Sequence, residues 1–344
     1  MGANNNGNSP TSTSPILTTV GIFINFAKLQ KGNDRMIKGI LAQGSLAQQL
    51  LSLFALALFG SIIFSAIGIG LAVVLYDFSG AEILSFLASP SDGDRQVFKL
   101  VQGFSTVGTF LFPAIAGAQM ISYHPEELLG LKKFGQPAWL ILILLALASY
   151  SMGALSDLLY RFSSSVPLPD ALSSWRANLE QSQVYMLEQY ESILSMQNPL
   201  DFMQVLFVMA LIPAVAEESL FRGVLQPILG RHINKHGAIW ITAVIFGLLH
   251  NQYLAFLSIT ILGALLGYLR YWSDSLWLPT ILHFFNNASI VVMVYFFDYD
   301  YSAALSEGQS VSPLESIFLI ALLAISMAAL YELGKRNLAK SESK

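Results

Sequence analysis

The stretch Leu200–Val224, LDFMQVLFVMALIPAVAEESLFRGV, decides the fold. It is long and apolar enough to cross a bilayer, which takes roughly 20 such residues. Yet it carries Glu217, Glu218 and Arg222. A charge at the bilayer centre costs roughly 2.5–3.5 kcal/mol on insertion scales. Two later apolar segments repeat the pattern, with Phe246-x-x-x-His250 and His283-x-x-x-Asn287. A chain that places two carboxylates, a guanidinium and two imidazoles at such depth is expected to use them. Their types match the needs of amide hydrolysis: a base, a proton shuttle and donors for an oxyanion.

Composition agrees with a membrane setting. The 344 residues are 54% hydrophobic and only 12% charged, where a soluble domain carries about 25% charged residues. A net charge of −4 argues against a nucleic-acid partner. With no cysteine in the chain, disulfides, thiolate metal sites and a cysteine nucleophile are excluded. Met1–Pro15 is rich in Asn, Gly, Ser and Thr, so neither order nor a secretory signal is expected there.

Working outward, hydropathy predicts an all-α, polytopic bundle of about eight spanning helices, near 50–76, 98–122, 138–160, 200–224, 237–251, 253–271, 275–297 and 314–333. The fifth and sixth form one apolar stretch broken only at Asn251-Gln252-Tyr253, which fits a tight hairpin or a bent segment. The chain divides into a disordered N-terminus with a short interfacial helix (1–45), N-terminal transmembrane helices (46–160), an external amphipathic loop (161–198), a catalytic core (199–297) and a last helix with a basic tail (298–344). In the loop, Leu172, Trp175, Leu179, Met186, Tyr190 and Ile193 fall on one helical stripe. That stripe suits a helix lying on the membrane or one capping the bundle. Basic residues gather on one side, at Lys28–Lys38, Lys132/Lys133, Arg222/Arg231/Lys235, Arg270 and Lys335–Lys344. By the positive-inside rule both termini of this multi-pass integral membrane protein are expected in the cytoplasm.

Helix geometry sorts the polar residues. Glu217 and Glu218 point about 100° apart and cannot face one cavity equally. Arg222 stands four after Glu218, the spacing of a contacting pair. Glu217 is then left to face elsewhere and is the better candidate for base. Phe246 shares a face with His250, and its expected role is to fix the imidazole rotamer. His283 and Asn287 share a face and both offer donors. Counted at 1.5 Å per residue from the proposed cytoplasmic ends, Glu217 and His250 lie about 20 Å in, His283 about 12 Å and Asn287 about 18 Å, so three spans could meet in one pocket. Pro227 makes a straight run of the first helix doubtful.

In this order, the three motifs resemble the CPBP family, which includes CAAX prenyl endopeptidases, bacteriocin-processing enzymes and Abi-type proteins. The likeness covers about residues 199–297. It implies an intramembrane endopeptidase in which Glu217 and His250 activate water, His283 and Asn287 stabilise the oxyanion, and Glu218 and Arg222 support them. Its partners would be the lipid bilayer and a peptide or membrane-protein substrate; oligomeric state is not readable. No cofactor is favoured. Zinc on Glu217, His250 and His283 is the alternative, although the spacing is not that of the His-Glu-x-x-His helix. Two other readings stay open: a non-catalytic binding or immunity protein, and a proton-coupled transporter, since intramembrane acids and histidines also build relays.

Overall fold

The computed structural model describes residues 38–77, 79, 81–83, 85, 95–132, 135–166, 173–300 and 312–342. The expected interfacial helix before Lys38 and the start of the amphipathic stripe at Leu172 lie outside these residues. Among the described residues the chain is helical and contains no strand. In chain order the helices are α1 (Leu46–Tyr76), α2 (Arg95–Ile121), the short α3 (Pro125–Leu129), α4 (Ala138–Ser165) and α5 (Ser173–Leu194). They continue with α6 (Pro199–His232), α7 (Lys235–Leu249), α8 (Phe256–Ser273), α9 (Trp277–Phe297) and α10 (Pro313–Glu342).

Six of these, α1, α2, α4, α6, α9 and α10, are long and apolar enough to span a membrane. The protein is a polytopic all-α membrane protein. Each of the eight expected spans has its helix, but two fall short of spanning criteria. The α7 helix has only 15 residues, and α8 ends on the polar, aromatic run Arg270-Tyr271-Trp272-Ser273. They form the tight hairpin, turning at His250–Ala255 with Asn251 at φ +52°.

The bundle is built as a membrane protein would be. On α1, Leu51, Phe54, Leu58, Phe59, Ile62 and Val74 are exposed; so large an apolar face belongs in lipid. Inside, one core joins α4, α8, α9 and α10 through Leu145, Met152, Leu266, Leu282 and Leu330. Another joins α1, α2, α3 and α6 through Leu53, Ala114, Leu128 and Val224. Small residues set the closest crossings. At Gly60 and Gly108 a Cβ on either would overlap the other's carbonyl oxygen, so α1 and α2 touch backbone to backbone. Gly263 and Gly267 of α8 lie against Ala243 and Ile239 of α7.

Helix ends follow local chemistry. A capping box between Ser45 and Gln48 starts α1. The α4 helix runs to Ser165, past the expected 160, so residues 161–165 belong to it rather than to the loop. Ser163, Ser164 and Ser165 hydroxyls donate back to the carbonyls of Leu159, Arg161 and Phe162, and Arg161 pairs with Asp157 at 2.8 Å. The α5 helix docks by its C-terminal end. Ile193 and Leu194 are buried with Ala72, Phe98, Val205 and Val291, so this helix end caps the bundle.

Prolines shape the spanning helices in a common way. Wide π-turns occupy Val107–Leu111, Leu206–Leu211 and Phe221–Leu225. Each ends two residues before a proline: Pro113, Pro213 and Pro227. Proline has no N–H and its ring crowds the carbonyl four residues back; a π-turn opens the helix at that point. Across Pro227, α6 stays helical from Pro199 to His232, with a π-turn ahead of each interior proline.

Substituting Gly108→Val should overpack the α1–α2 crossing and destabilise the protein by about 1–3 kcal/mol. A lower thermal midpoint in detergent checks this, with Gly70→Ala, where a Cβ meets open space, as the neutral control.

Candidate active site

Between the two π-turns of α6, the α-helical segment Ile212–Leu220 carries both glutamates. Their environments differ as the 100° argument requires. Glu218 is fully buried, and its Oε1 accepts from Arg222 Nη1 at 2.6 Å and from His283 Nδ1 at 2.9 Å. Glu217 keeps 12% of its side-chain surface exposed. Its Oε2 is buried and makes no hydrogen bond within the described residues.

Arg222 is the hub of the buried side. Besides Glu218 it donates from Nη2 to the Gly263 carbonyl at 3.0 Å. That bond is possible because Gly263 has no side chain where α7 and α8 cross. The guanidinium carbon also sits 4.5 Å from the centre of the Phe246 ring, a favourable placement over the π face. Phe246 meets Phe221 edge-on at 5.1 Å, and its centroid lies 4.5 Å from the His250 ring and 5.9 Å from that of His283. Its ring is the apolar surface that the guanidinium and both imidazoles share.

The hydrogen-bond partners fix which nitrogen faces the pocket. His250 caps the C-terminus of α7, and its Nδ1 lies 2.7 Å from the Phe246 carbonyl. A carbonyl only accepts, so Nδ1 carries the proton. His283 gives its Nδ1 proton to Glu218 by the same reasoning. Both rings therefore turn Nε2 toward Glu217. The Nε2 atoms of His250 and His283 lie 4.0 and 3.9 Å from Glu217 Oε2, too far for direct hydrogen bonds.

Asn287 lies one turn beyond His283 on α9. Its Nδ2 donates at 3.3 Å to the carbonyl of Met209. Met209 stands four residues before Pro213, whose missing N–H would have bonded that carbonyl in an α-turn. Asn286 donates at 3.3 Å to Asn287 Oδ1 and so steadies the amide. The structure thus joins Glu217, His250 and His283 at one point, and puts Asn287 against the helix that bears Glu217.

Two contributors were not singled out in the sequence. Tyr190, read there as part of an apolar stripe, comes from α5 into the field of Glu217 and hydrogen-bonds Gln252. Burial, and secondly the Glu217 carboxylate, hold its phenol pKa above the usual range. Gln252 belongs to the turn after His250. No local signal marks either residue, because both act across helices. A cavity of about 550 Å³ opens beside this turn, lined by Phe162, Ser163 and Leu179 on one side and by Leu248, Asn251 and Gln252 on the other.

The pairing at Glu218 generates a test. Arg222→Leu would leave a buried carboxylate without its cation, at a cost of about 3–5 kcal/mol. The thermal midpoint in detergent should fall accordingly, while the double variant Glu218→Leu/Arg222→Leu should recover part of the loss. An unchanged midpoint in the single variant would show that the pair does not hold the bundle.

Comparison with known proteins bears on this same region. Residues 199–289 match the family model described as type II CAAX prenyl endopeptidase Rce1-like. The chain is also 35% identical over 96 residues to an uncharacterized protein, YpbD, of Bacillus subtilis (strain 168). That match covers 27% of this chain and 46% of the relative, so the chain spans about half of that protein's length. No solved structure matches. The matched segment runs from the start of α6 to α9 and includes every residue of the three motifs. Residues 199–289 are thus similar to the Rce1-like type II CAAX prenyl endopeptidases.

Proposed function

We propose that the protein is an intramembrane endopeptidase of CAAX type, with Glu217 as the base that activates water. One observation carries the reading. A buried carboxylate oxygen without a hydrogen bond faces the Nε2 atoms of two histidines, at 4.0 and 3.9 Å, from three different helices. Such gaps are too wide for direct bonds and suit a water molecule touching all three groups. The match of residues 199–289 to the endopeptidase family supports the same chemistry.

In this mechanism Glu217 takes a proton from water while the oxygen attacks the scissile carbonyl carbon. His250, with its proton held on Nδ1, offers the Nε2 lone pair to the same water. The C=O bond becomes a C–O⁻ single bond, and the oxyanion is met by Asn287 and His283. The Asn287 amide has a second N–H besides the one given to Met209. His283 donates from Nε2 only as an imidazolium, because Nδ1–H is given to Glu218. Collapse breaks the C–N bond, and the proton held by Glu217 passes to the leaving amine. Each oxyanion donor is worth about 2.7–4 kcal/mol in other enzymes.

We read the water as activated without a metal. Zinc holds its ligands about 2.0–2.2 Å from one point. Among the described residues no three His, Asp or Glu side chains are arranged to hold an ion. The basic ends of α6, α7, α8 and α10 would face the cytoplasm. The α7–α8 hairpin adds an even number of passes whether or not it spans, so the start of α1 and the end of α10 would lie on one side.

Glu217→Gln should reduce cleavage to background, with membrane insertion and thermal midpoint retained. Asn287→Leu should lower kcat by roughly 10²–10³. Substrate trapping with Glu217→Gln, followed by cleavage of the trapped peptides with wild type, provides the assay. Metal analysis of the active preparation runs beside it. Full turnover by Glu217→Gln would end the assignment; stoichiometric zinc lost together with activity on chelation would replace the metal-free step.

A further inference from the structure

A second cavity lies where α6 and α8 end and α7 begins, beside the C-terminal part of α10. Its volume is about 810 Å³, within the range of ligand pockets. Arg231 at the end of α6, Lys235 and His236 at the start of α7, Arg270 at the end of α8 and Lys335 on α10 line it. The one carboxylate in the lining, Asp274, is already committed. It accepts from Arg270 at 2.9 Å and from Lys132 at 2.6 Å. Burial raises its pKa, but these two cations together hold it below the ordinary value. Arg231, Lys235 and Lys335 make no ion pair among the described residues and are exposed. Three cationic side chains thus converge on a recess that has no anion left to match them.

The rest of the wall is aromatic. Tyr271 is 36% and Tyr331 40% exposed, and Trp272 meets Tyr331 edge-on at 5.2 Å. Lys235 Nζ lies 5.1 Å from the centre of the Tyr271 ring. Tyr and Trp beside Lys and Arg at helix ends mark the headgroup level of a membrane. The floor is Gln226, 8% exposed, whose Nε2 donates to the Gly267 carbonyl at 3.1 Å. Basic recesses between helices at this level are where phosphorylated lipid headgroups bind.

We propose that this recess binds a phosphate-bearing anion, supplied by the headgroup of an anionic phospholipid, with Arg231, Lys235 and Lys335 as its donors. The site is independent of the peptidase reading, since none of its residues touches Glu217, His250 or His283.

The test uses the full-length protein in a neutral detergent. Short-chain phosphatidylglycerol, phosphatidylcholine of the same chain length and inorganic phosphate are titrated separately, with binding read by native mass spectrometry and by thermal shift. Wild type should bind phosphatidylglycerol roughly tenfold more tightly than phosphatidylcholine, and the charge-reversed Lys235→Glu/Lys335→Glu variant should lose that preference. Arg336→Glu, an exposed basic residue outside the lining, should keep it. The reversed pair should melt like wild type in the absence of added lipid. Saturable binding of inorganic phosphate that disappears in the reversed variant, without a phosphatidylglycerol preference, supports the anion site and overturns its lipid source. Equal binding of both lipids by wild type with no phosphate effect, or a preference that survives charge reversal, overturns the site.

Discussion

One carboxylate, that of Glu218, holds the interior of this bundle together. It sits at zero exposure and takes Arg222 from its own helix and His283 from α9 on a single oxygen. Through Arg222 it reaches the Gly263 carbonyl on α8 and the ring of Phe246 on α7. Four helices therefore share one polar knot in an apolar surround. Taking such a pair out of water is costly, and the Coulomb gain alone roughly offsets the loss. The Gly263 carbonyl, His283 and the Phe246 face add to that gain, while Glu218 Oε2 and Arg222 Nε have no hydrogen-bond partner among the described residues.

That knot sets the polarity of the neighbouring pocket. Because Glu218 claims the Nδ1 proton of His283, the ring must turn Nε2 outward. The Phe246 carbonyl imposes the same choice on His250. Glu217, one residue along, is the group that remains for the two Nε2 atoms to face. Two adjacent glutamates thus acquire different surroundings from a rotation of about 100°: Glu218 is sealed and ion-paired, and Glu217 is partly open beside the two imidazoles.

Proline makes a second, quieter contribution. Each π-turn precedes a proline, and two of them bracket the glutamate segment. The widened turns let an unbroken helix carry Pro213 and Pro227 while freeing backbone carbonyls for side chains. Asn287 answers one of these at Met209. A residue chosen in the sequence for its donors is, in the structure, held in place by a backbone defect on the opposite helix. The α5 helix completes the enclosure from outside the spanning bundle, bringing Tyr190 toward Glu217 and against the turn after His250.

By itself the sequence determined the helical class, the places of the eight apolar segments and the contacts made within one helix. These follow from hydropathy and from the 3.6-residue repeat, which act locally. The Glu218–Arg222 pair and the separation of Glu217 from it are of this kind. Only the tertiary structure decided which helices face one another, and with that the tautomer of each histidine and the partner of Asn287. It also decided that α7 and α8 form a hairpin, that Tyr190 approaches the site, and that Arg231, Lys235 and Lys335 share one recess. Periodicity assigns a side chain to a face of its own helix. What stands opposite that face depends on crossings set by glycines such as Gly60, Gly108, Gly263 and Gly267, whose partners lie far away in the chain.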